Sequence, residues 1–235
     1  MGSAARLSTT EQHALRKLPV ATRTFEAQQD IIYGDGTSLH SCVVLDGWTC
    51  CYQLLTEGKR QILSIHVPGD MPDLQGLHLP QPDFSMAAIT RAVVAFVPHT
   101  TLRQLSDGSP TIAAALWRET LITAAIHRAW ITSLGRRDAR QRFAHLICEL
   151  YLRLEAAGLA SDHTMWMPLR QPDLADALGL TSVHVNRTMR ALRLEGLIDL
   201  RSRQLVIQDW AGLRALAAFN PQYLRLLDQV VSSSA

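Results

Sequence analysis

The stretch that most constrains this chain is residues 171–192, QPDLADALGLTSVHVNRTMRAL. Leu174, Ala175 and Leu178 place apolar groups on one face of a short helix. Gly179 follows, where a tight turn between two helices needs a residue that tolerates positive φ. Thr181 or Ser182 then caps a second helix, and Val185, Met189 and Leu192 give it a buried stripe. Ala175, Gly179 and Val185 fall at the fifth, ninth and fifteenth places of the stretch. A small residue, a turn former and a core apolar residue at those places let two helices cross closely, which is the pattern of a helix-turn-helix. An αα-hairpin in an unrelated helical protein can mimic the spacing, so the surrounding residues matter. From Thr181 to Arg203 there are five arginines (Arg187, Arg190, Arg193, Arg201, Arg203) against Glu195 and Asp199, a local excess of three. The whole chain carries a formal net charge of only +2, so any nucleic-acid surface has to be local, and this is where phosphate contacts are expected.

A chain of 235 residues with 47% hydrophobic residues can bury a real core, as one large domain or two small ones. Its first residues lack a secretory hydrophobic core, position 6 is arginine rather than the Ser or Thr of a myristoylation signal, and the longest apolar run is broken by Arg118 and Glu119. The expectation is a soluble cytoplasmic protein that does not engage membrane. Cys42, Cys50, Cys51 and Cys148 form no pattern with zinc or iron–sulfur spacing, and adjacent Cys50 and Cys51 point to opposite faces of a strand. They read as small core fillers, so no metal and no cofactor is expected.

Residues 8–18 read as a short helix capped by Thr9 or Thr10 and stopped by Pro19. Residues 20–105 alternate short β-like runs with turn residues, with hairpin signals at Asp46-Gly47 and Glu57-Gly58 and a proline-marked loop at Pro72, Pro80 and Pro82. Strands at this spacing suggest an antiparallel barrel or sandwich. Residues 111–134 read as one long helix interrupted by Gly135, with a near-heptad seam of Ile112, Leu116, Thr123, Ile126, Trp130 and Leu134. That seam suits either docking on the barrel or pairing with a second copy; the length of the helix favours a homodimer. Asp138 caps the next helix, whose broad buried face runs from Phe143 to Leu154 and which Gly158 ends. A loop bearing Met165, Trp166 and Met167 leads into the helix-turn-helix. Residues 197–207, LIDLRSRQLVI, read as two strands around an arginine-bearing turn, a wing that lays Arg201 and Arg203 along a phosphate backbone. Asp209 caps a last helix, Asn220-Pro221 breaks it, and the terminal VVSSSA reads as frayed.

Helix, small barrel, long helix and winged helix-turn-helix, in that order, resemble the bacterial Crp/Fnr family. The resemblance spans nearly the whole chain; it is strongest in LADALGLTSVHVNRTMRALRLEGLIDL and moderate in the barrel, where VPGD at 67–70 is similar to the family's GD before its effector loop. It implies an α+β fold. Residues 1–110 would form a cyclic-nucleotide-binding-like β-barrel of the jelly-roll type, 111–136 a dimerisation helix and 137–235 a winged helix-turn-helix. It also implies a homodimeric transcription regulator of palindromic double-stranded DNA, with RNA polymerase as a possible partner.

The effector segment departs from the family. Members that bind cyclic AMP carry Gly-Glu shortly after GD and Arg-Ser at the next strand, the arginine pairing the cyclic phosphate. Here Leu74, Gln75 and Gly76 replace the glutamate-bearing segment, and Phe84-Ser85 stands in place of Arg-Ser; with Asp70 these residues are the candidate effector pocket. Arg91 lies several residues on, in a strand. Losing a buried bidentate arginine removes several kcal/mol of anion binding, so tight cyclic-nucleotide binding is not expected. The iron–sulfur branch needs an N-terminal cysteine cluster that residues 1–30 lack, and His40, His66, His78 and His99 read as core or solvent-facing rather than haem-binding. The effector is an unknown small molecule, a protein, or none.

On the second helix, Ser182, Val183, His184, Asn186, Arg187 and Arg190 are free to face outward, and Thr181 and Ser182 near its start can bond phosphate. Arg187 matches the family's guanine-reading arginine, whose fork fits guanine O6 and N7. Val183 replaces a frequent glutamate, which would shift the half-site from cytosine toward a thymine methyl. Asn186 reads adenine or bonds phosphate, and His184 contacts backbone or solvent. No phosphate-cradling glycine loop, nucleophile elbow or HExxH motif supports an enzyme, and no catalytic residue is assigned. The alternative is the same fold as a partner-binding or small-molecule-sensing module with weak DNA binding.

Overall fold

The computed structural model describes residues 7–34 and 36–226; the segment VVSSSA lies outside them. Contacts divide the chain into two units, residues up to 53 with 64–125, and residues 54–63 with 126–226.

The first unit opens with α1 (Thr9–Arg16), capped by Ser8 rather than by Thr9 or Thr10. The Ser8 hydroxyl accepts from the Glu11 amide and the Glu11 carboxylate accepts from the Ser8 amide, a reciprocal box. Strands β1 (Ala21–Phe25), β2 (Asp30–Ile32), β3 (His40–Asp46), β4 (Thr49–Leu54), β5 (Arg60–His66), β6 (Ser85–Ala88) and β7 (Ala92–Pro98) form two antiparallel sheets, ordered β1-β7-β3 and β2-β6-β4-β5. Gly47 makes the turn from β3 to β4 with φ of 77°; a Cβ there would lie 2.2 Å from the Arg91 carbonyl, so only glycine fits. The run 86–102, continuous in apolar pattern, is broken at Ile89–Arg91, which puts Arg91 in a turn and not in a strand. His99 then starts α2 (His99–Gly108), a helix that the β-branched Thr100 and Thr101 conceal in the sequence. All four cysteines are buried and none forms a disulfide.

α3 (Pro110–Arg136) runs straight through Gly135, which does not end it. Its predicted seam is an internal docking stripe: Ile112, Leu116, Ile126 and Trp130 are all buried within the chain. A second stripe is left open, with Trp117 60%, Leu121 49% and Ile131 69% exposed.

In the second unit, α4 (Ala139–Ala156) is capped by Asp138, which accepts from the Arg140 and Gln141 amides at 2.9 Å each. Its fully buried face includes Phe143, Leu146, Ile147, Leu150, Tyr151 and Leu154, as the periodicity predicts, and also Glu149. That carboxylate is matched by three donors: Trp130 Nε1 at 3.1 Å to both oxygens, Tyr223 Oη at 2.7 Å and Arg153 at 3.4 Å. The predicted loop around Met165 is instead a hairpin, β8 (Ala160–Ser161) and β9 (Thr164–Trp166), turned by Asp162 and His163 at φ of 49° and 56°. Without a glycine in the turn, nothing local announces it. β9 joins the wing strands in a sheet ordered β10-β11-β9-β8, with β10 (Ile198–Arg201) and β11 (Gln204–Ile207). α5 (Gln171–Leu178), α6 (Ser182–Leu194) and α7 (Trp210–Ala217) complete the unit, α7 capped by Asp209. Among the described residues no helix is long and apolar enough to cross a membrane.

Candidate nucleic-acid interface

α5 buries Leu174, Ala175 and Leu178. It ends at Gly179, whose φ of 62° is left-handed and whose α-carbon faces Leu134 and Arg142, where a Cβ would sit 3.4 Å and 3.6 Å from their side chains. The Leu180 amide donates to the Ala175 carbonyl at 3.0 Å and closes the turn. Thr181, not Ser182, then caps α6 by accepting from the His184 amide at 3.2 Å. α6 buries Val185, Thr188 and Leu192; Thr188 takes the place expected of Met189, which is only half-buried.

The opposite face is the one expected to read DNA. Val183 is 82% exposed, and Asn186, Arg187 and Arg190 are exposed beside it, while Ser182 and His184 are half-buried. Arg187 Nη2 lies 2.5 Å from His184 Nε2, a contact that steadies the guanidinium one turn away. On the wing, Ser202 and Arg203 take φ of 49° and 65° between β10 and β11, the twisted two-residue turn that pushes both side chains outward.

Three of the five arginines keep a free charge. Asp199 takes Arg193 at 3.1 Å and Arg201 at 2.7 Å, and Glu195 pairs with Arg140 from α4. Arg187, Arg190 and Arg203 have no carboxylate partner among the described residues, so the local excess counted in the sequence becomes three specific side chains. Arg201 is 81% exposed yet ion-paired, so its wing role competes with Asp199.

Sequence reasoning missed what holds α5. Asp173, almost fully buried, accepts from the Arg170 amide at 3.1 Å and from Arg60 Nη2 at 3.0 Å, while Arg60 Nε reaches Asp176 at 2.7 Å. One guanidinium thus bridges two carboxylates one turn apart, a pairing 113 residues distant in sequence that no local pattern reveals.

The candidate effector residues fall into different settings. Leu74 and Leu77 lie on a single 3₁₀ turn (Leu74–Leu77) and are buried against Met71, Val97, Leu102, Ile112 and Leu116. Asp70 is spent on the Val67 amide at 2.9 Å, and the Ser85 hydroxyl accepts from the Gly34 amide at 3.2 Å. Gln75, Gly76 and Phe84 do line a chamber together, of about 10 Å³, room for one water. Asp73 closes it, unnoticed in the sequence. Its Oδ1 accepts from the Cys42 amide at 2.7 Å and its Oδ2 has no protein partner, and burial pushes its carboxyl up to about 7.

A sequence model of the Crp-like helix-turn-helix domain matches residues 141–216, and one of the cyclic nucleotide-binding domain matches residues 22–109. The nitrogen fixation regulation protein FixK of Bradyrhizobium diazoefficiens is 32% identical over 177 residues, 74% of this chain and 73% of its own. The transcriptional activator protein FnrL of Cereibacter sphaeroides is 27% identical over 195 residues, 81% of this chain and 78% of its own. The structure of FixK2 from Bradyrhizobium japonicum superposes with a TM-score of 0.79 at 27% identity, covering 86% of this chain and 100% of that one. A barrel, a long helix and a winged helix-turn-helix in this order, with these relatives, lead to one conclusion: the chain belongs to the Crp/Fnr family of transcriptional regulators.

Proposed function

We propose that this regulator works in the cytoplasm as a homodimer that reads a palindromic site through the outer face of α6, with Arg187 the principal base-reading residue. The observation that carries this is Arg187 itself: exposed, without a carboxylate partner, and held by His184 on the face opposite the buried stripe. A guanidinium so placed fits guanine O6 and N7 in the major groove. Val183 packs on a thymine methyl, Asn186 reads adenine or bonds phosphate, and Arg190 and Arg203 neutralise phosphate. Thr181, Ser182, His184 and Arg201 contribute to the backbone contacts. We assign the chain no catalytic role and no cofactor; RNA polymerase is the partner its promoter contacts would address.

Regulation does not use cyclic nucleotide in this reading. Leu74 and Leu77 fill the segment where relatives that bind cyclic AMP carry a glutamate, and Phe84 stands in the place of their arginine. Calorimetry with cyclic AMP is expected to give no saturable heat at micromolar concentration.

Selection from random duplex DNA, with purified protein and nothing added, tests the main reading. A two-fold symmetric motif with half-sites about one helical turn apart is expected. Recovery of no motif from a folded dimer overturns it in favour of a partner-binding or sensing module.

A further inference from the structure

The segment that holds effector in cyclic-nucleotide-binding relatives is filled, but the same unit opens elsewhere. Between β1, β3 and residues 31–33 and 36–39 lies a cleft of about 310 Å³, at the small end of the range for ligand sites. Its walls include Ile32, Tyr33, Leu39 and Phe96, and one cation, Arg23, lines it.

The position of Arg23 follows from strand geometry. On β1, Ala21, Arg23 and Phe25 alternate onto one face, and Phe25 is buried in the sheet's interior side. Ala21 and Cys42 are both register partners of Phe96 and line the same cleft. The guanidinium therefore lies on the cleft side, 5.6 Å from the centroid of the Phe96 ring. Arg23 has no carboxylate partner among the described residues, whereas Arg60, Arg91, Arg140, Arg170 and Arg193 all do.

Several large apolar side chains of the cleft are exposed to solvent, beside the polar Thr37, Ser38 and His40. Tyr33 is 61% and Leu39 67% exposed within its wall, and Leu79, 65% exposed, lines the adjoining small chamber, which shares Ile32, Ser38 and Pro82 with the cleft. Exposed large apolar groups gathered round a concavity mark a binding site more than scattered ones do. A single guanidinium, exposed at the cleft and lying over the Phe96 ring, suits a monoanion; a dianionic phosphate would leave one charge uncompensated.

We propose that this cleft binds a compact organic monocarboxylate with an aromatic or branched apolar body, its carboxylate on Arg23 and its body against Phe96, Tyr33 and Leu39. Such a ligand would occupy a part of the barrel separate from the filled Leu74 segment.

The test is calorimetry on the full-length protein without DNA, so its result is independent of the assignments made to α6. The probes are 4-phenylbutyrate, benzoate and 4-methylvalerate, with 4-phenylbutanol as the uncharged control. At least one acid is expected to bind saturably at millimolar concentration or below. If it is 4-phenylbutyrate, it should bind about tenfold more tightly than the alcohol. Arg23→Gln should weaken the binding acid about tenfold and remove any preference over the alcohol, and Ala21→Trp, which fills the cleft from an exposed position, should abolish binding of both. Thermal unfolding checks that each variant is folded; if Ala21→Trp is not, Arg23→Gln alone decides. Absence of saturable heat from all three acids, equal affinity for 4-phenylbutyrate and its alcohol, or acid binding indifferent to Arg23→Gln each overturns the proposal.

Discussion

His145 should make the DNA-reading unit acid-sensitive, by an amount the structure allows to be worked out. It sits on α4 at 3% exposure, edge-on to Phe219 at 5.1 Å and stacked on Tyr223 at 5.9 Å between ring centroids. Burial, with a smaller contribution from the Arg137 charge, holds its imidazole down to about 4. In the unfolded chain the same ring titrates near 6.5. Between those values the unfolded state binds a proton that the folded state refuses. The stability is therefore fully present above about pH 6.5 and is lost as pH falls toward 4. The full difference is about 3 kcal/mol, of which about 2 kcal/mol is lost by pH 5. His145→Phe keeps a ring between Phe219 and Tyr223 and removes the titration. Urea unfolding of both proteins, followed by the fluorescence of Trp130, Trp166 and Trp210, should show the parent losing about 2 kcal/mol more than the variant between pH 7.5 and 5. Glu149 and Asp73 titrate in both proteins and cancel in the difference. Parallel pH curves, or an NMR titration of His145 near 6.5, would refute the reasoning.

Three further substitutions test other parts of the molecule. Arg187→Ala should lose about 1–3 kcal/mol of specific DNA binding and relax selection at one base pair per half-site; an unchanged selected motif counts against its role. Trp117→Glu places a charge in the exposed stripe of α3 and should weaken dimerisation at least about a hundredfold in sedimentation equilibrium, an unchanged mass at low concentration being the contrary result. Asp73→Asn keeps an acceptor for the Cys42 amide while removing a carboxyl held near 7. Because the folded state of the parent keeps that proton longer than the unfolded one, the parent loses stability as pH rises from about 4 to 7. The variant should gain on it over that window by up to about 4 kcal/mol, and a difference independent of pH would exclude the assignment.

The order of barrel, long helix and winged helix-turn-helix, the caps at Asp138, Thr181 and Asp209, the turn at Gly179 and the outward face of α6 were legible in the residues, whereas α2 and the β8–β9 hairpin were not. Each legible feature depends on contacts within a few positions, where helical and strand periodicity and capping chemistry act. The turn at Asp162-His163 was less legible than the wing turn at Ser202-Arg203, because non-glycine residues at positive φ are imposed by the strands they join. The stripe of α3 that faces inward, the filling of the effector segment by Leu74 and Leu77, the hold of Arg60 on Asp173 and Asp176, and the cleft around Arg23 needed the tertiary structure. Residues far apart in sequence meet there, and burial and charge pairing are decided by those meetings. The resemblance to the family implied a cyclic-nucleotide-binding-like barrel without its arginine. Folding shows that a different arginine, on β1, is left without a carboxylate partner beside an open cleft, because strand register and not sequence order determines which side chains share an interior.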